Sequence, residues 1–557
     1  MVIAVVAALS FTAGLTCAAT RSTPDEQIAE RYAAAWARGD LRTMYANLTP
    51  AVRARVSRAR FADAHRSAMV TATARVARVA APERDGGRYR LGLALATRIF
   101  GTVRGDVRLA VSDEGVTWAP HLVFPGLRGG ERLARTTVLP PRGTLLARDR
   151  TVLARGADRA TALGPLADSV VGELGLAPPD RQARLRALGV PDGSTVGLSG
   201  LERIFDERLL GTPGGELRAG TRIVARRDPR RAAAVRTTIS VPVQEAAVAA
   251  LAGRLGGVVA LDPRNGAILA FAGIAFSGLQ PPGSTFKIIT VTGALEAGLT
   301  RPSRTYPVQT KAVLEGVDLA NANDESCGGT LVAAFALSCN SVFAPLGTEL
   351  GAPRLVAVAE RFGFNRPPGV PGAATSTIPP AGEIGDDLAL GSSAIGQGRV
   401  QATALQMTLV AATIARRGRR PSPTLDLRTA GRGAKTAPVT SSRIARTVER
   451  LMRAVVRAGT GRAAAIEGVE VAGKTGTAEL RTTVACEPDP DNPESCPDLP
   501  ENDPTDTDAW FAAYAPAGRR RPRVAVGVLL VASGAGGDTA APAARGVLIA
   551  ALRATAP

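Results

Sequence analysis

The sequence predicts a multidomain α+β chain that ends in an antiparallel sheet flanked by helices. Three observations carry this. The length, 557 residues, exceeds what one ordinary core holds. Between residues 24 and 124 helical spacing gives way to strand alternation, the order of a small α+β domain. From residue 237 onward the pattern runs helix, hairpin, helical block, strands, helix. Composition is globular, 45% hydrophobic and 21% charged, which excludes a disordered or fibrous chain.

The elements follow in order. Residues 1–20 are almost entirely apolar and uncharged. A membrane span needs about 20 such residues, so this segment reads as an export signal or membrane anchor, with Cys17 leaving a lipoprotein anchor as an option. No second run is long enough to span, which puts the rest of the chain on one side of the membrane. Residues 24–64 carry Tyr32, Trp36, Leu41 and Tyr45 at helical spacing. Strands are predicted over 88–95, 107–111 and 116–118. A second region, 130–236, is rich in Gly, Pro and Arg and carries no chemical constellation. The third, 237–557, opens with a helix over 242–254 and a hairpin turning at Pro263-Arg-Asn-Gly266. It closes with strands over 509–514 and 524–531 and a helix over 541–553.

The net charge is +19, and of 68 basic residues only Lys287, Lys311, Lys435 and Lys474 are lysines, which leaves 64 arginines. The arginines are scattered, without zinc spacing, stacking aromatics or basic heptads, so nucleic acid is not an expected partner. The five cysteines form no Cys-x-x-Cys pair, which argues against structural zinc. Cys486 and Cys496 share one polar loop and suit a disulfide outside the cytoplasm; Cys327 and Cys339 are a second candidate pair. His65 and His121 lie far apart, which excludes a histidine triad or a histidine metal site.

Three short motifs carry chemistry. In Ser284-Thr-Phe-Lys287, Pro281, Pro282 and Gly283 break the preceding chain, so Ser284 starts a helix. Residues at i and i+3 share a helix face, which brings the Lys287 amine within reach of the Ser284 hydroxyl. A serine nucleophile needs a base. Lysine serves once burial and nearby positive charge leave it neutral, whereas arginine never gives up its proton. In a chain this poor in lysine, a lysine at that spacing is an informative choice. The second motif is Ser338-Cys339-Asn340, between two apolar helical stretches. Its hydroxyl is a candidate proton relay and its amide a candidate holder of a substrate carbonyl. The third is Lys474-Thr475-Gly476-Thr477, on a predicted strand. It offers one cation and two hydroxyls to a substrate carboxylate, and Gly476 permits close approach of a ligand backbone.

The ordered set Ser-x-x-Lys, Ser-x-Asn, Lys-Thr-Gly resembles that of penicillin-binding proteins and related β-lactamases. Ile395-Gly-Gln-Gly and Ala509-Trp-Phe-Ala-Ala-Tyr-Ala-Pro strengthen the resemblance, which covers 237–557. Cys339 stands where class A β-lactamases carry Asp, which favours a penicillin-binding protein. The chain as a whole resembles a class B penicillin-binding protein, a monofunctional D,D-transpeptidase. Pro141-Arg-Gly-Thr-Leu-Leu-Ala-Arg-Asp-Arg resembles the opening of that family's pedestal, or dimerisation, domain, assigned to 130–236. Residues 24–129, ending in the phrase Trp118 to Leu127, resemble a nuclear-transport-factor-2-like domain.

The resemblance implies that Ser284 attacks the D-Ala–D-Ala carbonyl of a peptidoglycan stem peptide. It implies Lys287 as base, Ser338 passing the proton to the leaving amine with Lys474 shaping the local field, and Asn340 holding a peptide carbonyl. Thr475, Gly476 and Thr477 would bind the terminal carboxylate, and the backbone N–H groups of Ser284 and Thr477 would form the oxyanion hole. β-Lactams would acylate the same serine. No metal or cofactor is implied. Stem peptides, the membrane through the N-terminus and cell-wall synthesis proteins are the expected partners, at the extracytoplasmic face. A D,D-carboxypeptidase or serine β-lactamase on the same fold is the enzymatic alternative; a β-lactam-binding sensor or division scaffold is the non-enzymatic one. Residues 487–508 hold nine acidic residues and no basic one, a loop expected to hang beside the cleft.

Overall fold

The computed structural model describes residues 22–430, 436–479 and 507–555. The apolar segment 1–20, the Cys486–Cys496 pair and the acidic run up to residue 506 lie outside the described residues. No helix among the described residues is long and apolar enough to cross a membrane.

The chain forms two compact units. One comprises the described residues up to Pro140 together with Ala177–Ser194 and Thr212–Arg231; the other comprises the remainder. The stretch 130–236 is thus divided between them. Strand Leu133–Val138 pairs with Gly214–Ala219 in the first unit, while Leu145–Leu146 pairs with Val152–Ala154 and Val235–Arg236 in the second.

In the first unit four helices precede a sheet: Pro24–Ala37, Leu41–Ala46, Pro50–Arg55 and Arg58–Thr71. Asp40, Thr49 and Ser57 cap the last three by accepting from the N–H of Thr43, Val52 and Arg60. Strand Arg88–Thr97 buries Tyr89, Leu91, Leu93 and Leu95, the period-two face that its sequence predicts. The aliphatic face closes over Tyr32, Trp36, Phe61, His65 and Trp118. His65 is buried among these rings, and burial pushes its pKa down to about 4, so it is neutral. Strand Ala74–Val79, unpredicted, pairs with Arg88–Thr97. Its sequence, Ala-Arg-Val-Ala-Arg-Val, lacks clean alternation.

The second unit is built on a five-stranded antiparallel sheet. Its order is Ala267–Gly273, Gly256–Asp262, Val524–Leu530, Thr507–Ala515, Ala472–Glu479. Trp510, Ala512 and Tyr514 enter one core, while Ala509, Phe511, Ala513 and Ala515 enter the other. That division is why the strand reads as a continuous apolar run: both faces are covered. Helices Val241–Leu251 and Ala540–Ala554 pack on one face. On the other lies Ala404–Ala415, every residue of which is buried, with Lys287–Glu296 and Ser442–Ala458. The strand Ala472–Glu479 is the sheet's edge, and the site forms along it.

Candidate active site

Ser284 lies in a short 3-10 turn, Gly283–Phe286, that leads into helix Lys287–Glu296. Two glycines set the turn against the edge strand. Gly283 has φ +50°, and a Cβ there would stand 2.6 Å from Thr477 O and 3.2 Å from Thr477 N. A Cβ at Gly476 would stand 2.7 Å from Pro282 O. Backbone therefore meets backbone, with the N and O of Thr477 close to the serine turn. The Ile395-Gly-Gln-Gly loop holds the turn from behind: Gly283 N–H donates to Gly396 O at 2.9 Å.

Lys287 and Lys474 are both fully buried. The Lys287 amine donates to Ser338 O at 2.7 Å and to Asn340 Oδ1 at 2.6 Å, with Ser338 Oγ at 3.4 Å. The Lys474 amine donates to Ser338 Oγ at 2.7 Å and to Thr475 O at 3.0 Å. Aromatic faces cover both, Phe343 at 5.6 Å from Lys287 and Phe335 at 5.7 Å from Lys474. Burial first, and the positive charge of Lys474 second, hold the Lys287 pKa well below the usual lysine range. Burial brings Lys474 down to about 7. Both shifts favour the neutral amine, and the two ammonium charges oppose one another. A neutral Lys287 has two N–H bonds, which its two short contacts use, and a lone pair left over.

Two details differ from the sequence expectation. No hydrogen bond joins Lys287 to Ser284: the amine spans instead to the Ser338 loop, and the half-buried Ser284 hydroxyl has no partner among the described residues. The amide of Asn340, expected to hold a substrate carbonyl, also makes two contacts within the protein and keeps one Nδ2 hydrogen free among the described residues. It accepts from Lys287 and donates through Nδ2 to Ala320 O at 2.7 Å. In this arrangement Asn340 positions the lysine.

Ser338 itself is left-handed, with φ +65°, a conformation that costs a non-glycine residue about 1–2 kcal/mol. Its neighbours hold it there. Cys339 is disulfide-bonded to Cys327, so the middle of the motif is tied to strand Cys327–Thr330. Asn321, buried, accepts from Ser341 N–H at 2.9 Å. On the edge strand, the Thr475 hydroxyl shares a 2.6 Å hydrogen bond with Thr460, and Thr477 Oγ1 accepts from Gly536 N–H at 3.3 Å. Thr460 and Asn321 escape the sequence reading because neither belongs to a motif. The one signal for Thr460 is its place between two glycines, Gly459 and Gly461.

A serine beside an edge strand, with two buried lysines meeting at a second serine, is equipped for acyl transfer. Residues 256–548 match the family model described as the penicillin binding protein transpeptidase domain, over half of the chain. The chain belongs to this transpeptidase family. Among relatives, this penicillin-binding protein is 36% identical to the peptidoglycan D,D-transpeptidase PbpA of Mycolicibacterium smegmatis, over 62% of this chain and 77% of that protein. It is 27% identical to the peptidoglycan D,D-transpeptidase MrdA of Acinetobacter baumannii, over 52% of this chain and 51% of that one. These similarities make it a class B member. Among solved structures, the ceftriaxone acyl-enzyme complex of penicillin-binding protein A from Mycobacterium tuberculosis aligns at TM-score 0.57 and 28% identity. That alignment covers 74% of this chain and 98% of that one.

Proposed function

We propose that this penicillin-binding protein is a peptidoglycan D,D-transpeptidase that works through an acyl-enzyme on Ser284. The observation that carries the reading is the convergence of two buried lysines on Ser338, one of them a helical turn beyond a serine with a free hydroxyl. Ser284 Oγ attacks the carbonyl carbon of the penultimate D-Ala, and its proton passes to the Lys287 lone pair. The developing oxyanion is met by the backbone N–H groups of Ser284 and Thr477. The tetrahedral intermediate collapses, the C–N bond breaks, and the departing D-Ala amine takes a proton from Ser338, which Lys474 resupplies. An amine on a neighbouring stem peptide then attacks the ester carbon, passing its proton through Ser338 back to Lys474; the C–O bond to Ser284 breaks, and the serine oxygen takes back the proton held on Lys287. Lys474, Thr475 and Thr477 hold the terminal carboxylate, with Gly476 leaving room for the ligand backbone. Asn340 keeps Lys287 in place. A β-lactam follows the first half of this path and stays on Ser284, because its leaving group remains tethered.

The regions around the catalytic unit fit a cell-surface enzyme. Residues 24–129 are a nuclear-transport-factor-2-like domain, 130–236 a pedestal shared between the two compact units, and 1–20 the export signal or anchor. The Cys327–Cys339 disulfide suits the oxidising extracytoplasmic side. Mass spectrometry after penicillin exposure tests the proposal. An intact adduct on a Ser284 peptide is expected, absent from Ser284→Ala; a wild-type protein that takes up no penicillin would overturn it.

A further inference from the structure

Away from Ser284, the transpeptidase unit holds a cavity of about 670 Å³ between helix Ser442–Ala458 and the turn that follows strand Thr507–Ala515. None of the candidate catalytic or carboxylate-binding residues lines it. Its wall includes Arg417, Arg446, Arg450, Arg453, Arg519 and Arg520. Arginine is six of the eleven lining residues, against 64 of 557 in the chain, so a chain-wide preference for arginine does not account for the cluster.

The two carboxylates in the wall are already engaged. Glu449, buried, accepts from Arg417 at 2.9 Å and from the buried Tyr514 hydroxyl at 2.8 Å. Glu470 accepts from Arg453 at 2.6 Å and also pairs with Arg457. Four arginines remain. Arg446 touches only Ser442 Oγ, at 3.0 Å, and Arg450, Arg519 and Arg520 have no hydrogen bond or ion pair among the described residues. The floor is preorganised around Gly518, at φ +77°. Arg417 donates to Gly518 O at 3.1 Å, and the Arg453 guanidinium lies 3.6 Å from where a Gly518 Cβ would be.

We propose that this cavity is a second binding site, for a ligand bearing a phosphoryl or diphosphoryl group. Unneutralised like charges in a concave wall focus a positive potential inward. Guanidinium forks bind planar or tetrahedral oxyanions through paired N–H bonds. A single carboxylate brings one charge to four unpaired cations, whereas a diphosphate brings several charges and enough oxygens for all of them. The volume lies within the ordinary range for a small-ligand site, roughly 300–1,000 Å³. Two sources share this chemistry, a soluble phosphate ester and the phosphodiester headgroup of an anionic lipid. The site stands apart from the acyl-transfer reading and does not depend on it.

Calorimetric titration of the full chain with inorganic pyrophosphate tests the site. The comparison is between wild type, a cavity variant (Arg450→Gln, Arg519→Gln, Arg520→Gln) and a control variant (Arg53→Gln, Arg55→Gln, Arg60→Gln) that removes equal charge from exposed positions of the other unit. Wild type and control are expected to bind one pyrophosphate with affinities within twofold of each other, and the cavity variant at least tenfold more weakly. All three are expected to react with a fluorescent penicillin at one rate, which shows that the cavity variant is folded. Cosedimentation with phosphatidylglycerol vesicles that pyrophosphate reverses, and that the cavity variant loses, assigns the lipid headgroup. Pyrophosphate binding without such cosedimentation assigns a soluble phosphate. The site is refuted if wild type shows no saturable binding, or if the cavity variant binds as tightly as the control. Failure of all three proteins to take up penicillin would strike the acyl-transfer reading and leave this one to the titration.

Discussion

Replacing Gly283 by alanine asks whether the serine turn must lie flush against the edge strand. The added Cβ would stand 2.6 Å from Thr477 O and 2.9 Å from Thr477 C. Ordinary carbon contacts begin at about 3.5 Å, so the two backbones must part by about 0.9 Å. No side chain can swing away to relieve this, since both partners are main chain. The left-handed φ adds about 1–2 kcal/mol. A misplacement near 1 Å costs an oriented reaction about a hundredfold, and loss of one oxyanion donor costs about a hundred- to a thousandfold. We expect the second-order rate of acylation by a fluorescent penicillin to fall at least about a hundredfold on those grounds. The melting temperature should fall by only a few degrees, about 2–4 °C per kcal/mol for domains of this size. A folded Gly283→Ala protein, with native near-ultraviolet dichroism, that acylates within threefold of wild type would refute the contact's role.

Three further outcomes are expected. Acylation by a carboxylate-bearing penicillin should rise with pH as the depressed Lys287 loses its proton, then fall above about pH 7 as Lys474 loses the charge that holds the carboxylate. The corresponding penicillin methyl ester should show a shallower falling limb, since only the proton-supplying role of Lys474 remains, and a falling limb of equal size with the ester would contradict its role in holding the carboxylate. Thr460→Val removes the 2.6 Å hydrogen bond to Thr475. Thr460 is exposed and Thr475 buried; a hydrogen bond contributes about 1 kcal/mol and an abandoned buried partner costs about 1–3, so penicillin acylation should slow roughly five- to a hundredfold and recover in Thr460→Ser. The disulfide joins residues separated by 12 in sequence, and closing a loop of that size is worth about 3 kcal/mol. Cys327→Ser with Cys339→Ser should lower the urea midpoint of the catalytic unit and slow acylation, and an unchanged midpoint would show that the crosslink adds nothing to the folded unit.

The sequence revealed the catalytic unit because its chemistry is local. Ser284 and Lys287 lie one turn apart, and Lys474 to Thr477 are consecutive on a strand. The rarity of lysine gave Lys287 and Lys474 weight before any geometry was known. Contacts between distant segments were not legible. Nothing in the sequence tells that Lys287 bonds to the Ser338 loop rather than to Ser284, since that depends on how the turn meets the next helical block. Nor does sequence show that the Asn340 amide bonds to Lys287 and Ala320. The 130–236 stretch is expected to form one domain because its phrase Pro141-Arg-Gly-Thr-Leu-Leu-Ala-Arg-Asp-Arg resembles a pedestal opening and no chemical constellation interrupts it. Strand pairing across some eighty residues divides it, and pairing of that range leaves no local trace.

Among the described residues the strand carrying Lys474 and Thr477 has a neighbour on one side only, and the N and O of Thr477 lie close to the serine turn. An unpaired edge normally invites other chains. Here the serine turn lies against it at Gly476 and Thr477. On the proposed function, a peptide end that docks there acts as an added strand, read through main-chain hydrogen bonds together with the Lys474, Thr475 and Thr477 side chains that hold its carboxylate. Such a reader is indifferent to much of the guest's side-chain chemistry. That lets one enzyme accept stem peptides that differ away from the reacting carbonyl, and it admits any rigid bicycle whose amide and carboxylate imitate the end of a strand.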